Sequence, residues 1–247
     1  MLLPDSISNQ QDLVTIIIPF YNCSYVGKSI SSALQQTYKN IEIILVDDGS
    51  TLHDQLLKPF LNRIVYMKKS NGGTASALNK GFKRAKGEYI VWLSSDDIML
   101  PEKIEKQLSF MKRENAKFSF TDYKLINDKN EILTGSGVLS NYSKESLLDG
   151  LKTSCTINGS TIMMKRELLA SAGIFDLSYR YAHDYEYWIR VCLKHNPAFL
   201  QEPLTLYRIH NKMGTKKHLR EISEETDRIK KKYGPALNNF QGWKGAK

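Results

Sequence analysis

Two adjacent pairs of carboxylates are the clearest candidates for chemistry in this chain. The pair Asp47-Asp48 follows an apolar run at residues 41–46, and the pair Asp96-Asp97 comes shortly after another at residues 89–93. Neighbouring carboxylates repel each other, so each pair needs a cation or several hydrogen-bond donors close by. Their oxygens are ligands that Mg²⁺ and Mn²⁺ prefer, and such an ion neutralises a bound diphosphate. Two structural interpretations stay open from the residues alone: a turn at the first pair and a helix cap at the second.

Strands and helices alternate through the half of the chain that must position these pairs. Runs of Ile, Val and Leu predict strands over residues 13–20, 41–46, 64–67 and 89–93. Helical spacing predicts helices over residues 26–34 and 74–86, the second ending at Gly87, and a third helix opened by Pro101. This alternation predicts an α/β fold with a mostly parallel sheet and helices on both faces. Because ligands bind at the carboxyl ends of parallel strands, we expect both acidic pairs to face one crevice.

The second half of the chain is less regular. Strands are predicted over residues 118–123, 160–164 and 199–208, and helices over residues 143–150 and 220–232. A further helix ends at Gly173, and another follows Asp184. The apolar stripe of this last helix is Trp188, Val191, Cys192 and His195.

The composition is that of an ordinary globular protein. The 247 residues are 41% hydrophobic and 25% charged, enough for one large domain. The three cysteines lie far apart with no C-x-x-C pair, which argues against a disulfide framework or a structural zinc site and favours a reducing compartment. No apolar run approaches the roughly 20 residues of a membrane-spanning helix, and the first 12 residues do not resemble a signal peptide. We therefore expect a cytoplasmic protein.

Positive charge is concentrated at the C-terminal end. From Arg208 onward there are 11 Lys and Arg against four acids, whereas the first 207 residues carry 24 basic and 22 acidic residues. Such a tail suggests contact with an anionic surface, either phospholipid on the inner face of the membrane or a phosphate-bearing ligand. A solvated helix remains the alternative. Nucleic acid is not favoured, because aromatic residues are not interleaved with the basic ones as stacking platforms.

Two common nucleotide-binding motifs are absent from the sequence. The chain has no G-x-x-x-x-G-K-[ST], and no G-x-G-x-x-G follows the first predicted strand. This argues against a P-loop enzyme and against a dinucleotide-dependent dehydrogenase. A diphosphate held through a metal ion is the nucleotide chemistry that remains.

Six segments carry a resemblance to a known family. They are, in chain order, TIIIPFYN (15–22), ILVDDGST (44–51), NGGTASALNKG (71–81), GEYIVWLSSDD (87–97), HDYEYWIR (183–190) and LYRIH (206–210). In this order they resemble the family 2 glycosyltransferases of GT-A fold. The resemblance implies an N-terminal extension over residues 1–12, a transferase domain over 13–210 and a basic tail over 211–247. Within the domain, it implies a nucleotide-sugar-binding half over 13–100 and an acceptor-binding, catalytic half over 101–210.

The resemblance also implies roles for individual residues. The donor-binding residues are Pro19, Tyr21 and Asn22 around the base, Asp47 or Asp48 on the uracil or ribose, and Asn71, Gly73 and Asn79 beside the diphosphate. The D-x-D metal motif of the family corresponds here to Ser94-Ser95-Asp96. This leaves Asp96 as the ligand for Mn²⁺ or Mg²⁺, with Ser95 and Asp97 at the substrate. His210 corresponds to a position near the diphosphate or the metal.

Asp184 corresponds to the catalytic base of the family, and His183 stands where an acid usually precedes it. Capping of the following helix is an alternative role for Asp184, and the two roles can coexist. As a base, Asp184 would accept the proton of an acceptor hydroxyl while the attacking oxygen inverts the anomeric carbon. Metal bound at Asp96 would stabilise the charge on the departing nucleoside diphosphate.

The function implied is transfer of a hexose or hexosamine, most simply from a UDP-sugar, to a glycan or lipid-linked acceptor in surface polysaccharide assembly. Two alternatives remain open. A sugar nucleotidyltransferase would need a Gly-rich, Arg-bearing loop after the first strand, where this chain has PFYN (19–22). A degenerate nucleotide-sugar-binding protein would keep the fold without transferring the sugar.

Overall fold

A computed structural model describes residues 12–134 and 143–243 of the chain. Residues 1–11 of the expected N-terminal extension and residues 244–247 of the tail lie outside the described residues. The strands are β1 (Val14–Phe20), β2 (Ile41–Asp47), β3 (Val65–Lys68), β4 (Tyr89–Trp92), β5 (Ile98–Met99), β6 (Phe118–Ile126), β7 (Ile162–Lys165) and β8 (Ala198–Arg208). The α-helices are α1 (Val26–Leu34), α2 (Thr74–Arg84), α3 (Lys103–Arg113), α4 (Lys144–Leu151), α5 (Leu168–Ala172), α6 (His183–Cys192), α7 (Gly214–Lys217) and α8 (Leu219–Asn238). Short 3₁₀ helices cover Asp54–Phe60 and Gly159–Thr161.

The strands form one sheet in the order β3-β2-β1-β4-β7-β6-β8-β5. Parallel pairs join β1 to β2 and β4, β2 to β3, and β6 to β8, while the other three pairs are antiparallel. Helices cover both faces, so the predicted α/β fold with a mostly parallel sheet is confirmed. Every residue of β1 is buried, as expected for a central strand with helices on either side.

Alternation along β1 divides the core into two layers. Ile16 and Ile18 belong to the cluster that contains Ile30 of α1 and Ile104 of α3. Ile17 points to the opposite face and belongs to the cluster of α2 and α6 that includes Trp188. Successive side chains of a strand point to opposite faces, so one Ile-rich run supplies both layers.

Three local expectations from the sequence are corrected by the structure. Helix α2 ends at Arg84 because Ala85 is already extended, so Gly87 is not its cap. Gly87 instead allows close approach to β1, since a Cβ there would lie 2.6 Å from the backbone nitrogen of Thr15. Helix α3 begins at Lys103, two residues after Pro101. The predicted strand over 160–164 is a 3₁₀ turn followed by β7.

The strand register brings the acidic pairs to one edge of the sheet. Phe20, the last residue of β1, pairs with Asp47, the last residue of β2. On the other side of β1, Ile17 pairs with Trp92, the last residue of β4. The turn after β4 therefore leaves the sheet beside the turns after β1 and β2, which is the expected site for a ligand.

None of the helices in the described residues combines the length and apolar character that crossing a bilayer requires.

Candidate active site

Asp47 holds the turn after β2. Its side chain is fully buried, with Oδ1 accepting from the backbone N–H of Ser50 at 2.7 Å and Oδ2 accepting from the Tyr66 hydroxyl at 2.7 Å. Burial alone raises the pKa of Asp47, but these hydrogen bonds outweigh it and hold the pKa below its usual value. Asp47 therefore stays ionised inside the protein and stabilises the turn after β2.

Asp48 holds the glycine loop that follows β3. Its carboxylate accepts from the backbone N–H groups of Gly72 at 3.0 Å and Gly73 at 2.7 Å, and from Nζ of Lys69 at 2.6 Å. Gly73 has φ +86°, which favours glycine. The structural interpretation left open for this acidic pair thus accounts for both carboxylates. Contact of either carboxylate with uracil or ribose stays a prediction.

The turn after β1 is tied to the turn after β2 by Asn22. Its Oδ1 accepts from the backbone N–H groups of Thr51 and Leu52, both at 2.8 Å. Pro19 lies within buried β1, whereas the Tyr21 side chain is 54% exposed. Of the three residues predicted around the base, Tyr21 is therefore the one with a face open for stacking.

Asn71 and Asn79, both predicted beside the diphosphate, have different environments. Asn71 donates to the backbone oxygen of Asp48 at 3.0 Å and accepts from Nη2 of Arg180 at 3.0 Å, so it lies between the glycine loop and the segment before α6. Asn79 is buried, and its amide bonds to both backbone groups of Phe175 at 2.9 Å. Asn79 therefore ties α2 to the segment before α6, and its contact with a diphosphate stays a prediction.

The two residues of the second acidic pair, Asp96 and Asp97, lie in different environments. Asp97 is fully buried, with Oδ2 accepting from the Ser160 hydroxyl at 2.6 Å and Oδ1 from the backbone N–H of Arg208 at 2.9 Å. Burial, and then the charge of Asp96, raises the pKa of Asp97 well above its usual value. Asp97 therefore fastens β8 to the turn after β4 and presents no surface to a substrate. The backbone oxygen of Ser95 accepts from the Cys23 thiol at 3.3 Å.

Asp96 is partly exposed and pairs with His210. Its Oδ2 lies 3.0 Å from Nε2 of His210, while Nδ1 of that ring accepts from the backbone N–H of Lys212 at 3.2 Å. The ring packs against Tyr25 with centroids 5.2 Å apart. With Nδ1 accepting, the neutral ring carries its proton on Nε2. Asp96 and His210, both predicted at or near the metal, are thus hydrogen-bonded neighbours, and metal binding by them stays a prediction.

This pair fits a divalent cation once the Nε2 proton of His210 has moved to Nδ1, because only a ring nitrogen without a proton can bind a metal. The ring then no longer accepts from the N–H of Lys212. Two adjacent ligands of an octahedral ion, each about 2.1 Å from it, lie about 3 Å apart, and the Asp96 and His210 atoms have that separation. Among the described residues, no third His, Cys, Asp or Glu joins them in a closed ligand set. Mg²⁺ is commonly held by one or two carboxylates together with water and substrate phosphate oxygens, whereas an imidazole ligand suits a transition-metal ion better.

Arg208 is a site residue that the sequence analysis counted with the basic tail. It is fully buried, donating from Nε to the backbone oxygen of Asp96 and from Nη1 to that of Asn127, both at 2.7 Å. Its guanidinium lies over the Tyr25 ring, 4.4 Å from the centroid. Arg208 therefore fixes the backbone of Asp96 from beneath. Its place in LYRIH, two residues before His210, was the signal that could have found it.

Asp184 lies in the first turn of α6 and is half-buried. The N-cap of this helix is Ala182, and Asp184 accepts from the backbone N–H of Tyr185 at 2.8 Å. The interpretation of Asp184 as the residue that caps the helix start is therefore wrong, because Asp184 is inside the helix.

The start of α6 touches both sides of the crevice. His183 is buried and stacks on Trp92 with ring centroids 6.0 Å apart, at the end of β4 and four residues before Asp96. Burial lowers the pKa of His183 below its usual value, so the ring is neutral at pH 7. On the other side, Arg180 reaches Asn71 in the glycine loop. Asp184 is thus carried by a segment in contact with both β4, the strand that leads to Asp96, and the glycine loop.

Comparison with known proteins identifies the class. The model of the family described as Glycosyl transferase family 2 matches residues 15–171. An uncharacterised glycosyltransferase of Rickettsia typhi is 39% identical over 218 residues, covering 86% of this chain and 69% of that protein. This chain belongs to glycosyl transferase family 2, and it is a glycosyltransferase.

One named relative and two solved structures extend the comparison. The Escherichia coli UDP-Glc:alpha-D-GlcNAc-diphosphoundecaprenol beta-1,3-glucosyltransferase WfaP is 34% identical over 226 residues, covering 89% of this chain and 86% of that protein. S. aureus TarS 1-349, solved with UDP-GlcNAc, has a TM-score of 0.68 at 18% identity. The match covers 87% of this chain and 65% of the TarS chain. The mannosyltransferase PcManGT of Pyrobaculum calidifontis was solved with GDP-Man and Mn²⁺. It has a TM-score of 0.66 at 15% identity, and the match covers 93% of this chain and 65% of the mannosyltransferase chain. These structures show that the fold is GT-A.

Proposed function

We propose that this glycosyltransferase moves a hexose or hexosamine from UDP to a hydroxyl of a lipid-linked acceptor sugar, with inversion, in surface polysaccharide assembly. The observation that carries the proposal is the start of α6, where His183 stacks on Trp92 of the strand that leads to Asp96 and Arg180 bonds to Asn71 of the glycine loop, with Asp184 next in the chain. The relative WfaP, named for a UDP-Glc donor and a GlcNAc-diphosphoundecaprenol acceptor, supports the donor and acceptor classes.

The proposed donor site lies along the carboxyl ends of β1, β2 and β4. Tyr21 has the exposed ring that stacks on the base, and Asn22 sets the turn that presents it. The glycine loop at Asn71 and Gly73, held by Asp48, faces the diphosphate together with Arg180. A guanidinium beside backbone N–H groups is a suitable partner for phosphate oxygens.

Asp96 and His210 are proposed to hold Mn²⁺ or Mg²⁺ through Oδ2 and Nε2, since their separation fits two adjacent ligands. When bound, such an ion neutralises the charge that develops on the leaving diphosphate. Arg208 keeps the Asp96 backbone in place, and Tyr25 supports the His210 ring. These contacts hold both side chains at the proposed metal position, and ion binding requires the His210 ring proton to move from Nε2 to Nδ1.

Asp184 is proposed as the general base. As the acceptor oxygen forms its bond to the anomeric carbon, the bond from that carbon to the diphosphate oxygen breaks, and UDP leaves with the electron pair. The acceptor proton moves to the Asp184 carboxylate. Attack from the face opposite UDP inverts the anomeric carbon in a single step, so no enzyme nucleophile is required.

The exposed basic residues that precede and begin α8 are proposed to contact anionic lipid at the cytoplasmic face, where a lipid-linked acceptor is embedded. They are Lys212, Lys216, Lys217 and Arg220. Each basic residue near such a surface contributes about 1 kcal/mol. Replacing all four with Gln should reduce sedimentation with vesicles containing anionic lipid while leaving transfer to a water-soluble acceptor analogue unchanged. Undiminished sedimentation would place the membrane contact elsewhere.

The proposed reaction is tested by direct product analysis. The chain is incubated with Mn²⁺, UDP-glucose or UDP-GlcNAc, and a synthetic lipid-diphosphate-GlcNAc acceptor, and the new anomeric linkage is read by NMR. We expect a β-linked product from the α-linked donor sugar. An α-linked product would contradict inversion. Donor binding without transfer to this acceptor, and without slow hydrolysis of the donor, would indicate the degenerate binding protein instead.

A further inference from the structure

Glu225, in the C-terminal helix α8, is buried against the segment that leads into α6. Its Oε1 accepts from the backbone N–H of Arg180 at 2.8 Å, and its Oε2 accepts from the N–H groups of Tyr181 at 2.8 Å and Ala182 at 2.7 Å. The residue is 7% exposed. It lies beyond residues 15–171, the part of the chain that the family model matches.

The start of α6 needs such a partner. The N–H groups of residues 180–182 precede the helical hydrogen-bond pattern of α6, so their acceptor must come from outside the helix. Successive N–H groups that converge on one point form an anion-binding concavity, and the helix dipole favours negative charge at the same end. The Glu225 carboxylate supplies that charge from another helix, and hydrogen bonds to an ionised acceptor are among the stronger ones in proteins.

The backbone held by Glu225 controls the position of Asp184. Residues 180–182 run directly into His183 and Asp184, so a shift of this segment moves the carboxylate that we propose as the base. Arg180, within the same segment, also contacts Asn71. The glycine loop itself is fixed independently by Asp48, which binds the N–H groups of Gly72 and Gly73. Loss of Glu225 therefore leaves the glycine loop in place, but it releases the backbone of Arg180 together with the segment that carries Asp184.

Helix α8 packs on α6, and this packing sets the position of Glu225. Ile229 of α8 is fully buried, and the Tyr233 hydroxyl donates to Glu186 of α6. After the helix, Nε1 of Trp243 donates to the backbone oxygen of Cys192, the last residue of α6, at 2.7 Å. Contacts therefore join the two helices along the length of α6, and Glu225 is the contact at the catalytic end.

We propose that Glu225 is a positioning residue for Asp184, which makes α8 part of the active-site architecture. The proposal rests on the proposed function, because it takes Asp184 as the base. Glu225 does not touch the reacting atoms. It fixes the backbone that sets where the Asp184 carboxylate meets the acceptor hydroxyl, and misplacement of about 1 Å in such a group can cost about 100-fold in rate.

The test compares Glu225→Gln with a matched control, Glu224→Gln, one residue away on the same helix. Glu224 pairs with Arg220 on the surface, and its side chain is 60% exposed. In Glu225→Gln, the amide NH₂ faces one or more of the backbone N–H donors. We expect kcat to fall about 10-fold or more, while the donor Kd, to which Arg180 contributes, rises by a smaller factor than kcat falls and Glu224→Gln matches the wild type. Assays are run well below the melting temperature of each variant, so that turnover refers to folded protein.

A double-mutant cycle with Asp184→Asn separates positioning from general structural damage. If Glu225 acts through Asp184, adding Glu225→Gln to Asp184→Asn should lower the residual rate less than about 2-fold. An unchanged kcat in Glu225→Gln, or the same loss in both backgrounds, would overturn the positioning role. Wild-type turnover in Asp184→Asn would instead overturn the proposed base, and this assignment with it. Should Glu225→Gln not fold, Glu225→Asp replaces it, because it keeps the charge on a shorter stem with the same expected loss of kcat.

Discussion

The two acidic pairs look alike in the sequence and differ in the folded protein. Asp47 and Asp48 are both buried, and protein donors occupy their oxygens, so this pair fixes the turns around the crevice. In the second pair, Asp97 is buried in the same way, but Asp96 keeps an exposed edge and meets His210. The number of protein donors that reach each carboxylate, rather than its place in a motif, separates a structural acid from one that is open to a ligand.

The largest effect that separates the two kinds of carboxylate is expected at Asp96. If it holds the metal, Asp96→Ala should lower the Mn²⁺-dependent affinity for UDP by about 100-fold, at the upper end for changes around metal ligands. Affinity measured with EDTA should hardly change. Calorimetry in both conditions checks this, and equal losses with and without metal would remove Asp96 from the metal site.

The neighbouring Asp97 should affect stability instead. Asp97→Ala leaves the N–H of Arg208 and the hydroxyl of Ser160 without their shared partner, which should lower the free energy of unfolding by about 3 kcal/mol. Urea unfolding measures the loss, and Asp96→Ala is the matched control, with an expected change below about 1 kcal/mol. Similar stabilities for the two variants would show that Asp97 does not stabilise the fold more than Asp96 does.

A smaller, pH-dependent effect is expected at Asp47. Its pKa in the folded protein is lower than in the unfolded chain, so its ionised form stabilises the fold at pH values above the ordinary Asp pKa of about 3.9. That contribution is lost as the pH falls through the lowered folded pKa. The difference in unfolding free energy between wild type and Asp47→Asn should therefore shrink from pH 6 toward pH 2. A difference that is constant with pH would mean that the charge of Asp47 does not stabilise the turn.

Much of the first half of the fold was predictable because its signals are local. The Ile and Val runs of β1 and β2 and the spacing of Ile30 and Ala33 in α1 indicate their own structure without reference to distant residues. The site was predictable only where a motif carried it. Asp96, His210 and Asp184 were found through the family resemblance, and of these the structure shows the pairing of Asp96 with His210.

The part of the site that the sequence did not predict depends on contacts between residues far apart in the chain. Glu225 meets Ala182 across 43 positions, and no pattern near either residue indicates this pairing. Arg208 was counted with the basic tail, since neither composition nor charge distinguishes a buried arginine from an exposed one. Asn79 falls in the right motif for a diphosphate contact, yet the packing of α2 turns its amide to Phe175. Burial and pairing of these polar groups are tertiary properties.

Asp184→Asn tests the central claim most directly. The amide oxygen of Asn still accepts from the N–H of Tyr185, so the helix start and the melting temperature should be nearly unchanged, but Asn cannot take a proton at neutral pH. With a UDP-sugar donor and a lipid-diphosphate acceptor, the account predicts near wild-type donor affinity and a fall in kcat of about 100-fold or more. Undiminished turnover in the folded variant would contradict Asp184 as the general base.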